Sequence, residues 1–75
     1  MKIAQVLGDN VRFIREMRGI SQEELSVIAK MSKTFIGDIE RGQKSPTTAS
    51  LDKLAKALKV TPALLLTPLG YKTIE

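Results

Sequence analysis

The side chains able to do chemistry in this chain are few and of one kind. Its 75 residues contain no His and no Cys. That removes the commonest general base, the thiol nucleophile, and the imidazole and thiolate ligands on which most transition-metal sites depend. The carboxylates do not fill the gap. Asp9, Asp38 and Asp52 are scattered, no glycine-rich loop offers a phosphate cradle, and no hydroxyl has a base placed to activate it. Neither an enzyme nor a cofactor or metal is expected. What remains is charge and hydrogen bonding. Twelve Lys and Arg against eight Asp and Glu leave a net charge of +4 and a pI near 9.7. That balance suits an anionic partner, and for a small domain nucleic acid is the leading class.

Such charges work only if a scaffold holds them. Apolar residues make up 43% of the chain, enough for one domain with one core. The longest purely apolar run, Ala63–Leu66, falls far short of the roughly 20 residues a bilayer span needs. Gly8, Asp9 and Asn10 follow Lys2 too soon for a signal peptide, so a cytoplasmic location is the default expectation. No stretch alternates with period two; the apolar spacing is helical. Ile3, Val6, Leu7, Val11, Ile14 and Met17 form one stripe, with Phe13 at its edge and Arg12 and Glu16 opposite. Gly19 ends this first helix. Ser21-Gln22-Glu23-Glu24 reads as a capping box that starts a second, whose inward residues are expected to be Leu25, Ile28 and Ala29.

Ser32 is suited to cap a third helix, Lys33 to about Arg41, with Phe35, Ile36 and Ile39 as its apolar side. Gly42 closes it, and Gln43-Lys44-Ser45-Pro46 is the clearest loop. Thr47 or Thr48 caps a fourth helix through Leu58, directing Leu51, Leu54, Ala55 and Leu58 inward and Lys53, Lys56 and Lys59 outward. Thr61-Pro62 opens a short fifth helix over Ala63–Leu66. The second and third helices are short and joined by about three residues, the signature of a helix-turn-helix. Neither can bury its apolar side alone, so the first and fourth must close the core around them. One short helix is left protruding, and an α-helix fits the roughly 12 Å major groove of B-DNA.

The run Gly19-Ile20-Ser21-Gln22-Glu23-Glu24-Leu25-Ser26, then Ser32 through Gly42, then Ser45-Pro46 and Leu54-Ala55-Lys56-Ala57-Leu58, resembles the phage-repressor and Cro-type helix-turn-helix family. The likeness runs from about Leu7 to Leu66. It implies an all-α, five-helix bundle over residues 1–66 and a dimer on double-stranded operator DNA, with residues 67–75 as a tail. It also implies roles. Lys33, Thr34 and Asp38 match positions that face base edges, with Ser32 and Gly37 at the margin. Helical arithmetic agrees, because 34 and 38 are four apart and opposite Ile36 and Ile39. Lys33 can donate to guanine or hold a phosphate. Thr34 can touch a thymine methyl. Asp38 can accept from cytosine N4 or pair with a Lys or Arg of its own chain. Gly37 either permits close approach to DNA or is merely tolerated.

By the same resemblance Gln22 bonds phosphate from the start of the second helix, unless it is simply a solvated first-turn residue. Arg41, Gln43, Lys44 and Ser45 match phosphate clamps, and Arg12 is a further candidate. Arg15 and Glu40 match a buried ion pair. The family often has Gly where this chain has Lys30; if that position is left-handed, Lys30 is strained by about 1 kcal/mol.

Leu64, Leu65 and Leu66 are consecutive and cannot all face one core, so at least one, Leu64 first, is expected outside. Leu64, Leu66, Leu69 and Tyr71, with Ile74, are assigned to a symmetric dimer patch. The tail can alternatively add a strand to its symmetry mate or fray. Two readings follow. One is a stand-alone dimeric transcription regulator, a Cro-like repressor or a controller of a restriction–modification system. The other is an antitoxin-type module that binds a partner protein through exposed Phe13 and the apolar tail.

Overall fold

A run of Ser and Thr caps sets the element boundaries in the computed structural model, which describes residues 2–74. Glu75, the end of the expected tail, lies outside the described residues. The helices are α1 (Ile3–Met17), α2 (Gln22–Ala29), α3 (Lys33–Glu40), α4 (Thr48–Leu58) and α5 (Pro62–Leu65), followed by a 3-10 turn over Gly70–Thr73. Among the described residues there is no strand, and no helix is long and apolar enough to cross a membrane. Ser21 Oγ accepts the Glu24 N–H at 3.0 Å while Glu24 Oε1 accepts the Ser21 N–H at 2.9 Å, the full capping box. Ser32, Thr47 and Thr61 accept from the N–H three residues on. Each such cap is worth about 1 kcal/mol. Lys30 terminates α2 at φ 57°, ψ 48°, with the Met31 N–H returning to the Ser26 carbonyl at 2.9 Å. A left-handed lysine costs on the order of 1 kcal/mol, offset here by satisfied end carbonyls.

The core is one cluster. Leu7, Val11 and Ile14 of α1 meet Leu25 and Ala29 of α2, Ile36 and Ile39 of α3, Leu54, Ala55 and Leu58 of α4, and Leu65 of α5. α3 lies across α1 and α2; α4 lies against α2, α1 and α5. The crossing of α1 and α3 is close because Gly8 has no side chain: a Cβ there would collide with the Ile39 carbonyl oxygen and stand 3.0 Å from that of Glu40.

The two ends of the α1 stripe are not buried, Ile3 and Met17 being 55% and 52% exposed, and three further apolar residues are placed differently from the sequence reading. Ile28 is 53% exposed, not inward, because the contact stripe of α2 runs through Leu25 and Ala29 and leaves Ile28 about 100° round the helix. In α5, Leu65 is the core residue and Leu64 is half-buried against the cluster, so Leu66 rather than Leu64 is the exposed one. Phe13 is half-buried, its ring stacked on Tyr71 with centroids 4.5 Å apart.

That stack belongs to a docked tail. Asn10 is buried on the apolar stripe of α1, four residues from Val6 and from Ile14. Its Nδ2 donates to the carbonyls of Leu65 (2.9 Å), Thr67 (2.8 Å) and Leu64 (3.3 Å), and its Oδ1 accepts the Tyr71 N–H at 3.0 Å. One amide therefore satisfies the end of α5 and the start of the 3-10 turn together. Gly70 must be small there, since a Cβ would strike the Leu64 carbonyl.

Candidate nucleic-acid interface

α3 turns Ile36 and Ile39 into the core and leaves Ser32, Lys33 and Thr34 exposed at its N-terminal end. Ser32 Oγ is occupied as an acceptor by the Phe35 N–H, 3.0 Å away, and keeps its proton for donation outward. Gly42, at φ 73°, ends the helix and lets the Gln43 N–H bond the Asp38 carbonyl at 2.9 Å. Gln43, Lys44 and Ser45 then follow, all exposed, immediately beside the helix. Cations and amide donors thus border both ends of the polar face of α3.

What holds α3 in place is a buried ionic cluster. Arg15 of α1 makes a two-point contact with Glu40, Nε to Oε2 at 2.7 Å and Nη2 to Oε1 at 3.1 Å, with side-chain exposures of only 12% and 4%. Arg15 Nη1 also donates to the Ile20 carbonyl at 2.9 Å. The Gln22 side chain joins the cluster, donating from Nε2 to Glu40 Oε1 at 3.1 Å. Glu40 is thereby bonded to α1 and to the first turn of α2, and α3 is fixed by its C-terminal end. The hydrogen bond to Glu40 raises the Arg15 pKa against the opposing effect of burial, with the charges of Glu40 and Glu16 adding to the rise. Among the described residues no buried side-chain polar atom lacks a partner.

A second arginine–carboxylate pair lies on the outside. Arg41 Nη2 donates to Asp38 Oδ1 at 2.6 Å, with side-chain exposures of 57% and 19%. Asp38 is therefore engaged by a cation of its own helix, and Arg41 lies along α3. Gly37 does not line the exposed margin; it is buried, with the Arg41 guanidinium over it. Arg12 is exposed, its guanidinium 4.7 Å from the centroid of Phe13, beside the Phe13–Tyr71 stack.

Two residues that position this surface escaped the sequence reading. Asn10 carried a usable signal, a polar residue in register with an apolar helical stripe. Gly8 carried none without the crossing helix.

Proteins of known sequence and structure resemble this chain in sequence and fold. A family model described as helix-turn-helix matches residues 11–65. The chain is 40% identical over 72 residues to the control protein C.SmaI of Serratia marcescens, covering 96% of this chain and 86% of that protein. The crystal structure of the restriction-modification controller protein C.AhdI from Aeromonas hydrophila superposes with a TM-score of 0.79 and 32% identity, over 83% of this chain and 94% of that one. The hypothetical transcription factor NHTF from Neisseria superposes with a TM-score of 0.86 and 31% identity, over 95% and 82%.

Proposed function

The chain belongs to the helix-turn-helix family of DNA-binding transcriptional regulators, and from that premise we propose that it works as a homodimer on a palindromic operator, with α3 in the major groove. The observation that carries this reading is the outward polar end of α3, Ser32, Lys33 and Thr34, projecting from a helix whose other face is locked into the core. Lys33 donates to a guanine edge and Thr34 contacts a neighbouring base. Gln43, Lys44 and Ser45 grip the flanking phosphates, as does the N-terminus of α2 beside Gln22. Lys44→Ala then weakens binding to every sequence alike and flattens the slope of log affinity against log salt by about 0.9. The likeness to C.SmaI and C.AhdI supports the controller version, in which the protein regulates a restriction–modification system.

A single recognition helix contacts few bases; two related by a two-fold axis read half-sites about 34 Å apart. The proposed dimer patch centres on Leu66 and Leu69, 38% and 58% exposed, with the half-buried Leu64 and Tyr71 contributing. Residues 67–74 count with the body rather than as a free tail, because Asn10 bonds both Thr67 and Tyr71. Occupancy then depends on the protein's own concentration, since dimerisation and DNA binding are linked. The partner-protein reading loses its main support, because Phe13 is stacked against Tyr71 instead of standing free.

Enrichment of bound duplexes from a random pool tests the proposal. A palindromic consensus with half-sites about one helical turn apart is the expected result. An asymmetric consensus, or none, overturns it.

A further inference from the structure

We propose that Arg41 is a base-reading residue, a guanine contact built into α3, with Gly37 as its seat and Asp38 as the group that aims it. The inference rests on the reading of α3 as the recognition helix and changes what its C-terminal end does there.

Residue 41 caps α3 and lies beyond its last helical residue. Side chains on a helix lean toward its N-terminus, so a long one at position 41 covers the surface over position 37. The guanidinium does this: a Cβ built on Gly37 would stand 3.1 Å from Arg41 Nη1, 3.5 Å from Nη2 and 3.7 Å from Cζ. A methyl at 37 makes the guanidinium give by a few tenths of an ångström, and a longer side chain moves it further. A helix-interior glycine costs about 0.5–1 kcal/mol against alanine, and the seat gives that cost a purpose.

Asp38 then fixes the fork. Its Oδ1 takes one proton of Nη2 at 2.6 Å, while its own side chain is 19% exposed against 57% for Arg41. The carboxylate is tucked under and the guanidinium faces out. Of the five N–H bonds of Arg41, one is consumed; the Nε proton, both protons of Nη1 and the second of Nη2 remain. Nη1 and Nη2 present the paired donors that guanine O6 and N7 accept. The charge of the pair also argues against a phosphate role. An arginine already neutralised by a carboxylate has little net attraction for an anion, whereas a base edge rewards geometry. Ordering a free arginine forfeits rotamer freedom on binding; here that ordering precedes contact.

The test uses the full chain and the consensus duplex it enriches from a random pool, with each base pair of the half-site changed singly. Arg41→Lys, Asp38→Asn and Gly37→Ala are expected to lose discrimination at one and the same G·C pair. The loss is about tenfold or more for Arg41→Lys and smaller for the other two. Asp38→Asn added to Arg41→Lys is expected to change nothing further. Three results overturn the proposal. The first is an Arg41→Lys loss spread evenly over all duplexes. The second is uniformly tighter binding by Asp38→Asn, the mark of a released phosphate cation. The third is an Asp38→Asn effect at a different base pair from that of Arg41→Lys. Lys33→Ala and Thr34→Ala run beside them. If these relax their own positions while Arg41→Lys does not, α3 reads DNA without Arg41. If none changes preference, the reading of α3 itself fails. Thermal unfolding of each variant separates these outcomes from loss of fold.

Discussion

The molecule contains two arginine–carboxylate pairs of nearly equal length and opposite use. Arg15–Glu40 is 2.7 Å long and Arg41–Asp38 is 2.6 Å, so distance does not distinguish them. Burial does. The first pair is sealed between three helices, bonded twice between its own members and again to Ile20 and Gln22. The second stands on one helix in water. In the sealed site each charge depends on its partner, because removing one leaves the other desolvated. On the surface either member can be lost and water takes its place. The first pair therefore fixes where α3 sits, and the second is free to serve what α3 touches.

The comparison breaks most sharply at Arg15. Arg15→Ala is expected to remove about 3–5 kcal/mol, a large share of what a domain of this size has, and either to unfold the chain or to collapse its urea midpoint. A loss under about 1 kcal/mol would mean that Glu40 is solvated after all and that the two pairs are alike. Because the Arg15 pKa is raised, its contribution is fully present below the ordinary arginine pKa and fades only as pH rises through a still higher value. Alkaline titration through the neutral range should leave the clamp in place. Asn10→Ala comes next and asks whether charge or burial is the cause. Asn10 is as buried as Glu40 and uncharged, and its removal strands the Leu65 carbonyl and the Tyr71 N–H, while the carbonyls of Leu64 and Thr67 keep the N–H groups of Thr67 and Gly70. About 2 kcal/mol is expected, with faster hydrogen exchange at the Tyr71 amide. An unchanged exchange rate would show that the tail is held by the Phe13–Tyr71 stack alone.

Local signals account for what was legible in the chain. The caps at Ser21, Ser32, Thr47 and Thr61 and the stripe from Leu7 to Ile14 are written in residues within a turn of one another, and so the five helices and their core could be read. Asn10 stood out only as a polar residue on an apolar stripe; what it bonds could not be read, since its partners lie 54 to 61 residues away. Nor could the choice among Leu64, Leu65 and Leu66, because a single helical turn has too few residues for a period to show. Ile28 failed for a related reason: a two-turn helix fits more than one stripe, and only the packing of α2 against α3 and α4 selects Leu25 and Ala29. On the polar face of α3, spacing left Asp38 open between a base contact and a partner for a Lys or Arg of its own chain. The structure pairs it with Arg41.

The surface side of the comparison predicts function without stability. Lys33→Ala should leave the unfolding midpoint where it is and relax preference at one base position by about 1–3 kcal/mol, measured on single-substitution duplexes. An equal loss on all duplexes would make Lys33 a phosphate contact. The smallest effect is the most diagnostic. Asp38→Asn breaks the exposed pair while keeping the shape of the side chain, and its effect on stability is expected to stay within about 0.5 kcal/mol and to shrink further in salt. The residue's main chain supports this, because the Asp38 carbonyl still accepts the Gln43 N–H and holds the end of α3. A loss of 2 kcal/mol or more in urea titration would show that Asp38, despite its place on the face of the helix, is part of the structural clamp. The two pairs would then be one network running from Arg15 to Arg41, and the division between holding the helix and reading with it would fall.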